Sequence, residues 1–438
     1  MDRRDFLKTA GLGAVTLGLA HSCGQKGAEV DGNARVKENF PGVGLLGYGC
    51  MRWPMVDAKD PSQGIDQEKV NELVDYAIAH GVNYFDSAPV YIGGRSEAAT
   101  AEALRRYPRD KYLIATKLSN HNTPNPTFEH GWEMYRKSLK TYNTDHIDYY
   151  LLHCVTSIES FDARFLRTGL LEALLKEREE GHIRNLGVSV HCDKPTFDYL
   201  MDLHAKYHWD FFQIQMNYLD WNHGPSDETN ASYMYAVLAG KDIPVVIMEP
   251  LRGGGLAEVP AAVAAWMKSR EPSRSIASWA FRFCGSFPKV LTVLSGMRDN
   301  AALEDNVATF SDFKPLGKED MAMLEAGADA ISRFRLVGCT DCGYCMPCPY
   351  GINIPAIFRF YNNSVKSGTY LISSGQKRFE RDRRRYLAAY GKEVPTVRQA
   401  DHCIGCERCV SLCPQSVKIP VELRKIDRYI ENLKQGTL

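Results

Sequence analysis

The sequence predicts an α/β protein: a closed (β/α)₈ TIM barrel followed by a small α-rich domain built around cysteines. Three observations predict it. Between Gly44 and Phe310, short β-branched and aromatic runs alternate with longer amphipathic ones, as strands and helices do in a parallel sheet. At 438 residues the chain holds one barrel with a piece to spare, a barrel taking about 250 residues. Eight of the thirteen cysteines crowd into two short runs near the C-terminus, which points to metal rather than to a disulfide framework. A doubly wound open sheet is the main competitor. It calls for Gly-x-Gly-x-x-Gly after the first strand, and Gly47-Tyr48-Gly49-Cys50-Met51-Arg52 does not supply it.

Taken in order, residues 1–37 read as a signal and tether. Arg3-Arg4-Asp5-Phe6-Leu7-Lys8 precedes a weakly apolar, Gly-rich stretch from Thr9 to Ala20, shorter than the roughly 20 residues a membrane span needs. This layout resembles a twin-arginine export signal, a pathway for proteins already folded around their cofactors. The resemblance implies a periplasmic protein, or a membrane-anchored lipoprotein if Cys23, which follows Leu19-Ala20-His21-Ser22, takes a lipid. The 53 basic and 53 acidic residues cancel, so nothing in the balance argues for nucleic acid, and a small molecule is the default partner.

Residues 38–314 hold the barrel. Its strands are expected at Leu45 to Met51, Val82 to Asp86, Tyr112 to Lys117, Ile147 to His153, Ile183 to Val190, Phe211 to Gln215, Val245 to Glu249 and Val290 to Ser295. Helical patterns fall between them, as at Gln67 to His80, Glu97 to Tyr107, Phe161 to Glu180 and Pro195 to Tyr207. Sites of such barrels gather at the C-terminal ends of the strands. Asp86, Lys117 and His153 each end a strand, 31 (117 − 86) and 36 (153 − 117) residues apart. Each interval is one βα unit, so register alone carries the three to one rim, with Tyr91 in the loop above.

A mechanism follows from that convergence. An ammonium at Lys117 near the phenol of Tyr91 lowers its pKa, and Asp86 holds Lys117 charged. Tyr91 then trades a proton with a substrate oxygen that His153 aims. Singly, each residue has a bland reading as a cap, a rim charge or a core histidine; four at this spacing do not.

Phe85-Asp86-Ser87-Ala88-Pro89-Val90-Tyr91 with Gly93-Gly94-Arg95-Ser96-Glu97, Ala115-Thr116-Lys117 and Leu151-Leu152-His153 resemble the aldo-keto reductases over about Gly44 to Phe310. The resemblance implies a catalytic tetrad of Tyr91, Lys117, Asp86 and His153, and reversible reduction of a small carbonyl to an alcohol with NADP or NAD. It also implies that Ser189 and Gln213 hold the nicotinamide carboxamide. Leu251, Arg252 and Gly253 would lie by the pyrophosphate, and Ser295, Gly296, Arg298 and Asn306 by the adenosine end. Ala302 stands where a basic or amide residue often meets the 2′-phosphate, and Met297 where a small residue is usual, so the choice of nucleotide stays open. Substrate choice is expected from loop side chains such as Trp53, Met55, Trp221 and His223.

Residues 315–438 begin with a helical pattern, Lys318 to Arg333, and turn to cysteines. Cys339, Cys342, Cys345 and Cys348 form one run, and Cys403, Cys406, Cys409 and Cys413 the other. The second has the spacing of bacterial ferredoxins, in which the fourth cysteine ligates the other cluster. Two 4Fe-4S clusters are therefore expected in a ferredoxin-like domain, one on Cys339, Cys342, Cys345 and Cys413 and the other on Cys403, Cys406, Cys409 and Cys348. Structural zinc takes separated pairs instead. Between the runs, Tyr361, Tyr370, Phe379, Tyr386 and Tyr390 mix with arginines, read as a helical insertion whose aromatics pack and as a docking face for a redox partner protein or small electron carrier. The alternative to an enzyme is an electron-transfer or redox-sensing module with a largely non-catalytic barrel.

Overall fold

The structure is a computed structural model that describes residues 40, 42–57, 61–121, 123–224, 231–334 and 336–438. The export signal, the tether and Cys23 lie outside the described residues. Eight strands pair in sequence order and close on themselves, with every pair parallel. They are β1 Leu46–Gly49, β2 Tyr84–Asp86, β3 Leu113–Leu118, β4 Ile147–Val155, β5 Ile183–Val190, β6 Phe211–Gln215, β7 Val245–Met248 and β8 Val290–Ser295.

Alternation along each strand decides which face a side chain takes. In β4, Tyr149 and Leu151 enter the barrel interior with Tyr84, Ala115, Phe211 and Val246. Tyr150 and Leu152 face outward into the larger core beneath the helices. Register then sets the rim. Asp86 is level with Ala115, and Lys117 is level with Leu151. Lys117 stands two residues beyond Ala115, and His153 two beyond Leu151, so all three share the interior face and climb the rim in steps.

The helices follow their expected starts where a cap supports them. Asp66 accepts from Lys69 N at 3.0 Å before Gln67–Ala79, and Asp193 caps Lys194–Tyr207. The single helix expected over Phe161 to Glu180 is instead three pieces: Ile158–Phe161, a π turn at Asp162–Leu166, and Leu170–Glu179. Gly169 separates them with φ of 75°, a left-handed conformation open to glycine. The π turn carries a buried Arg164 to the end of β4.

Helix Lys318–Ser332 packs Leu324, Ala328 and Ile331 into the barrel's outer core. After it the chain builds a second core. Ile357 and Phe358 of helix Ile354–Lys366, Tyr386 and Tyr390 of Phe379–Glu393, and Leu423, Ile426, Ile430 and Leu433 of Ile419–Gln435 meet in it. Tyr386 and Tyr390 are buried there while Arg381, Arg384 and Arg385 on the same helix are exposed, the division expected of a packed insertion with solvated arginines. Among the described residues no helix is long and apolar enough to cross a membrane.

Candidate active site

At the C-terminal rim, Lys117 Nζ donates to Asp86 Oδ1 at 2.7 Å and to the Ser87 carbonyl at 2.7 Å. Both side chains are buried, Lys117 fully. Burial draws each toward its neutral form, raising the Asp86 carboxyl and lowering the Lys117 ammonium, and their mutual contact opposes that pull. Lys117 Nζ lies 4.9 Å from the centre of the Tyr91 ring. It faces the ring, with two of its three N–H groups donating to Asp86 and Ser87.

This placement alters the expected chemistry of Tyr91. Burial is the leading influence and pushes the phenol well above its usual value; Tyr344 and Asp86 add to it. The resting phenol is thus held protonated, a donor rather than the phenolate that a lowered pKa implies. Tyr344 lines the same cavity.

His153 meets the Tyr91 ring edge to face, 5.7 Å between centres, and its Nδ1 shares a 2.7 Å hydrogen bond with Ser119 Oγ. Burial drives its pKa well below the usual imidazole value, with His121, Lys117 and Arg164 adding to the effect, so the ring is neutral. Arg164 fixes the strand end beneath it. That guanidinium donates to Asn120 Oδ1 at 2.9 Å, to the Cys154 carbonyl at 3.0 Å and to the His153 carbonyl, bracing a turn in which Cys154 takes φ of 53°.

The tetrad opens into a cavity of about 200 Å³ lined by Asp86, Tyr91 and His153. The same cavity reaches Ser189, Gln213, Leu251, Gly253, Ser295, Gly296 and Arg298, and is lined as well by Cys342, Tyr344 and Pro414 of the cysteine domain. Gln213 Oε1 is buried without a hydrogen-bond partner. A carboxamide offers the missing donor, so the nicotinamide end of a dinucleotide fits these side chains.

Two nucleotide candidates stand elsewhere. Arg252 does not line this cavity; its Nε is 3.4 Å from buried Asp220 Oδ1, and it borders a separate groove with Val337 and Tyr429. Asn306 lies behind the lining, donating to Ser295 Oγ at 2.8 Å. The four expected substrate-loop residues do not line the cavity either. Trp53 is core, with Nε1 donating to Thr100 Oγ1 at 2.9 Å; Met55 bridges to Ile65; Trp221 packs on Phe287; and His223 pairs with Asp329. Met51, His191 and Tyr344 take that place.

The cysteine domain is seated on the barrel mouth. Arg52 Nη2 donates to the Thr340 carbonyl at 2.8 Å and Lys366 Nζ to the Gly255 carbonyl at 2.8 Å. Gln215 and Gln415 exchange amide hydrogen bonds at 2.9 and 2.6 Å. A Cβ on Gly253 would come within 2.1 Å of the Thr340 carbonyl oxygen, so only glycine admits this approach.

Cys339, Cys342, Cys345 and Cys413 converge on one small cavity walled by Ile354, Phe358, Val417 and Ile419. These are the four expected to share one cluster, and a thiolate set in an apolar shell fits a 4Fe-4S group. Cys409 feels the charges of Cys403, Cys348 and Cys406, the second set. Cys50, Cys154, Cys192 and Cys284 are buried and belong to neither set.

Residues 45–329 match the family model described as Aldo/keto reductase family, and residues 338–419 match a 4Fe-4S dicluster domain. The chain belongs to the aldo/keto reductase family and is an oxidoreductase of that class. It is 25% identical to an L-galactose dehydrogenase of Arabidopsis thaliana over 68% of this chain and 92% of that protein. With an uncharacterized oxidoreductase of Bacillus subtilis it shares 31% identity, over 34% of this chain and 45% of the relative. In fold it is similar to aldo-keto reductase AKR11C1 of Bacillus halodurans, with a TM-score of 0.51 at 22% identity over 64% of this chain and 91% of that one. A Klebsiella pneumoniae aldo-keto reductase in complex with NADPH also gives 0.51, at 21% identity over 65% and 90%.

Ser119, His121, Arg164, His191 and Tyr344 were not legible as site residues. Ser119 and His121 directly follow the Lys117 strand end, which is a usable signal. Tyr344 carries none, because its position depends on how the second domain docks.

Proposed function

We propose that this protein interconverts a small carbonyl compound and its alcohol with NADP(H) or NAD(H), with Tyr91 as proton donor, in an enzyme coupled to two 4Fe-4S clusters. The observation that carries this reading is a single cavity lined by Tyr91, His153, Gln213 and the cluster cysteine Cys342. When bound, nicotinamide would supply or receive the hydride, and the clusters would exchange electrons singly. The chain's own residues do the rest. With the Ser119 hydroxyl donating to Nδ1, His153 presents Nε2–H to a substrate oxygen and aims it at Tyr91. Tyr91 gives that oxygen its proton, and Lys117, bound to Asp86, offsets the negative charge the phenol acquires. Ser189 and Gln213 would orient the carboxamide. The cysteine sets 339/342/345/413 and 403/406/409/348 would hold the clusters.

Tyr91→Phe tests this. With both nucleotides and a panel of aldehydes and quinones, it is expected to lower turnover by about 10²-fold or more, the worth of a general acid, with iron content retained. Wild-type activity in the variant sinks the reading. The alternative, an electron-transfer module with an inert barrel, draws support from Thr340 packed on Gly253, which narrows the groove a dinucleotide must occupy. Tryptophan quenching on titration with NADPH and NADH separates the two, since an inert barrel gives no quenching.

A further inference from the structure

Thr340 and Asp341 lie between the cysteines Cys339 and Cys342 of the inner set, yet their backbone rests on the barrel. On one side, a Cβ on Gly253, in the loop after β7, would meet the Thr340 carbonyl oxygen at 2.1 Å and its Cα at 2.7 Å. On the other, Arg52, just after β1, donates from Nη2 to the carbonyls of Thr340 at 2.8 Å and of Asp341 at 3.5 Å. Strands β7 and β1 flank β8, so the segment crosses the end of β8 from one neighbour to the other. Thr340 is buried there.

Nicotinamide held by Ser189 and Gln213 places the rest of a dinucleotide along Gly253, Ser295, Gly296 and Arg298, which line the same cavity. That path runs past β7 to the end of β8, where the segment crosses. With the segment in place the cavity holds about 200 Å³, less than the roughly 300–1,000 Å³ that small-molecule sites offer. We propose that Thr340 and Asp341 form a strap that a dinucleotide lifts from Gly253 in order to bind, so that closed strap and bound nucleotide exclude one another. Because the strap joins Cys339 to Cys342, lifting it moves the loop of the inner cysteine set. Coupling of this kind is reciprocal: what tightens the loop weakens the nucleotide, and bound nucleotide alters the surroundings of the cluster. Bonds outside the groove hold the closed position, from Lys366 Nζ to the Gly255 carbonyl at 2.8 Å and between Gln215 and Gln415 at 2.9 and 2.6 Å. Neither Lys366 nor Gln415 lines the cavity.

The inference rests on a dinucleotide in this cavity, and its test separates the two readings. Full-length, cluster-loaded protein and its Lys366→Met and Gln415→Leu variants are titrated with NADPH, and with NADH in parallel, by tryptophan quenching, and iron is measured in each. Each variant loses about one net hydrogen bond that favours the closed strap, and is expected to bind NADPH about fivefold more tightly with iron retained. Equal or weaker binding in an iron-loaded variant overturns the inference. Loss of iron from both variants does so too, since these bonds then serve only to support the cluster domain. In dithionite-reduced protein, saturating NADPH is expected to change the low-temperature EPR signal of one cluster, and an unchanged spectrum with NADPH bound also overturns the strap. If neither wild type nor variants bind either nucleotide, the proposed function itself fails; if all bind alike, only the strap fails.

Discussion

Lys117 stands over the ring of Tyr91, 4.9 Å from its centre, and burial above all decides how the phenol keeps its proton. Burial, Tyr344 and Asp86 raise the Tyr91 pKa well above the usual value, near 10 for a free phenol. As the acid in reduction, Tyr91 stays protonated through neutral and mildly alkaline pH. As the base in oxidation its active form is scarce, and below its pKa grows about tenfold per pH unit. The expected result is a kcat/KM for carbonyl reduction that is level from about pH 7 to 9 while that for alcohol oxidation climbs without a plateau, the window lying below the raised phenol pKa. A plateau in oxidation within that range would mean that Lys117 lowers the phenol after all. Arg164 is the second residue on which the site turns. Arg164→Ala strands the Asn120, Cys154 and His153 oxygens it serves, at a cost of about 1–3 kcal/mol for each buried group left unpaired. A fall in melting temperature of several degrees is expected, and an unchanged melting curve would remove it as a brace.

Among the elements, the loop after β7 makes the tightest backbone approach between the two domains. Gly253 has φ of 66° and admits the Thr340 backbone. Gly253→Ala is expected to loosen that seat and to speed limited proteolysis of the segment between Ser332 and Cys339, with cluster absorbance kept; an unchanged digestion pattern would refute it. The elements also show what was legible in the sequence and what was not. Strands β4 to β6 and β8 could be read because an apolar run between turn signals is a local property, and Asp86, Lys117 and His153 because one βα unit repeats at near-constant length. The break at Gly169 was hidden by the helical pattern on either side of it. Arg252 was misplaced because a rim arginine's direction depends on its partner, and Asp220 lies in a different loop. Trp53 and Trp221 were expected among the substrate-setting loop side chains, but each has a packing partner far away in sequence.

For the molecule as a whole, the inner cysteine set and the barrel site share a residue. Cys342→Ser is expected to lower iron from about eight to about four atoms per chain, one 4Fe-4S cluster being lost. It should also abolish reduction of a one-electron acceptor such as ferricyanide by substrate alcohol, while Cys406→Ser, in the outer set, leaves the inner cluster's signal in low-temperature EPR. Equal loss of both signals would show that the sets do not separate as 339/342/345/413 and 403/406/409/348. At the N-terminus, we read residues 1–37 as a signal for export of the folded protein. Replacing Arg3 and Arg4 with Lys is expected to retain the protein in the cytoplasm on fractionation, and normal export of that variant would discard the reading.

Cys342 borders both the cluster cavity and the barrel cavity, so on the proposed cluster assignment one side of the barrel's pocket would be a loop anchored through cysteines to iron. A cell short of iron would therefore make a barrel with an intact tetrad and an unfinished pocket, so iron supply would govern a reaction in which no barrel residue touches iron.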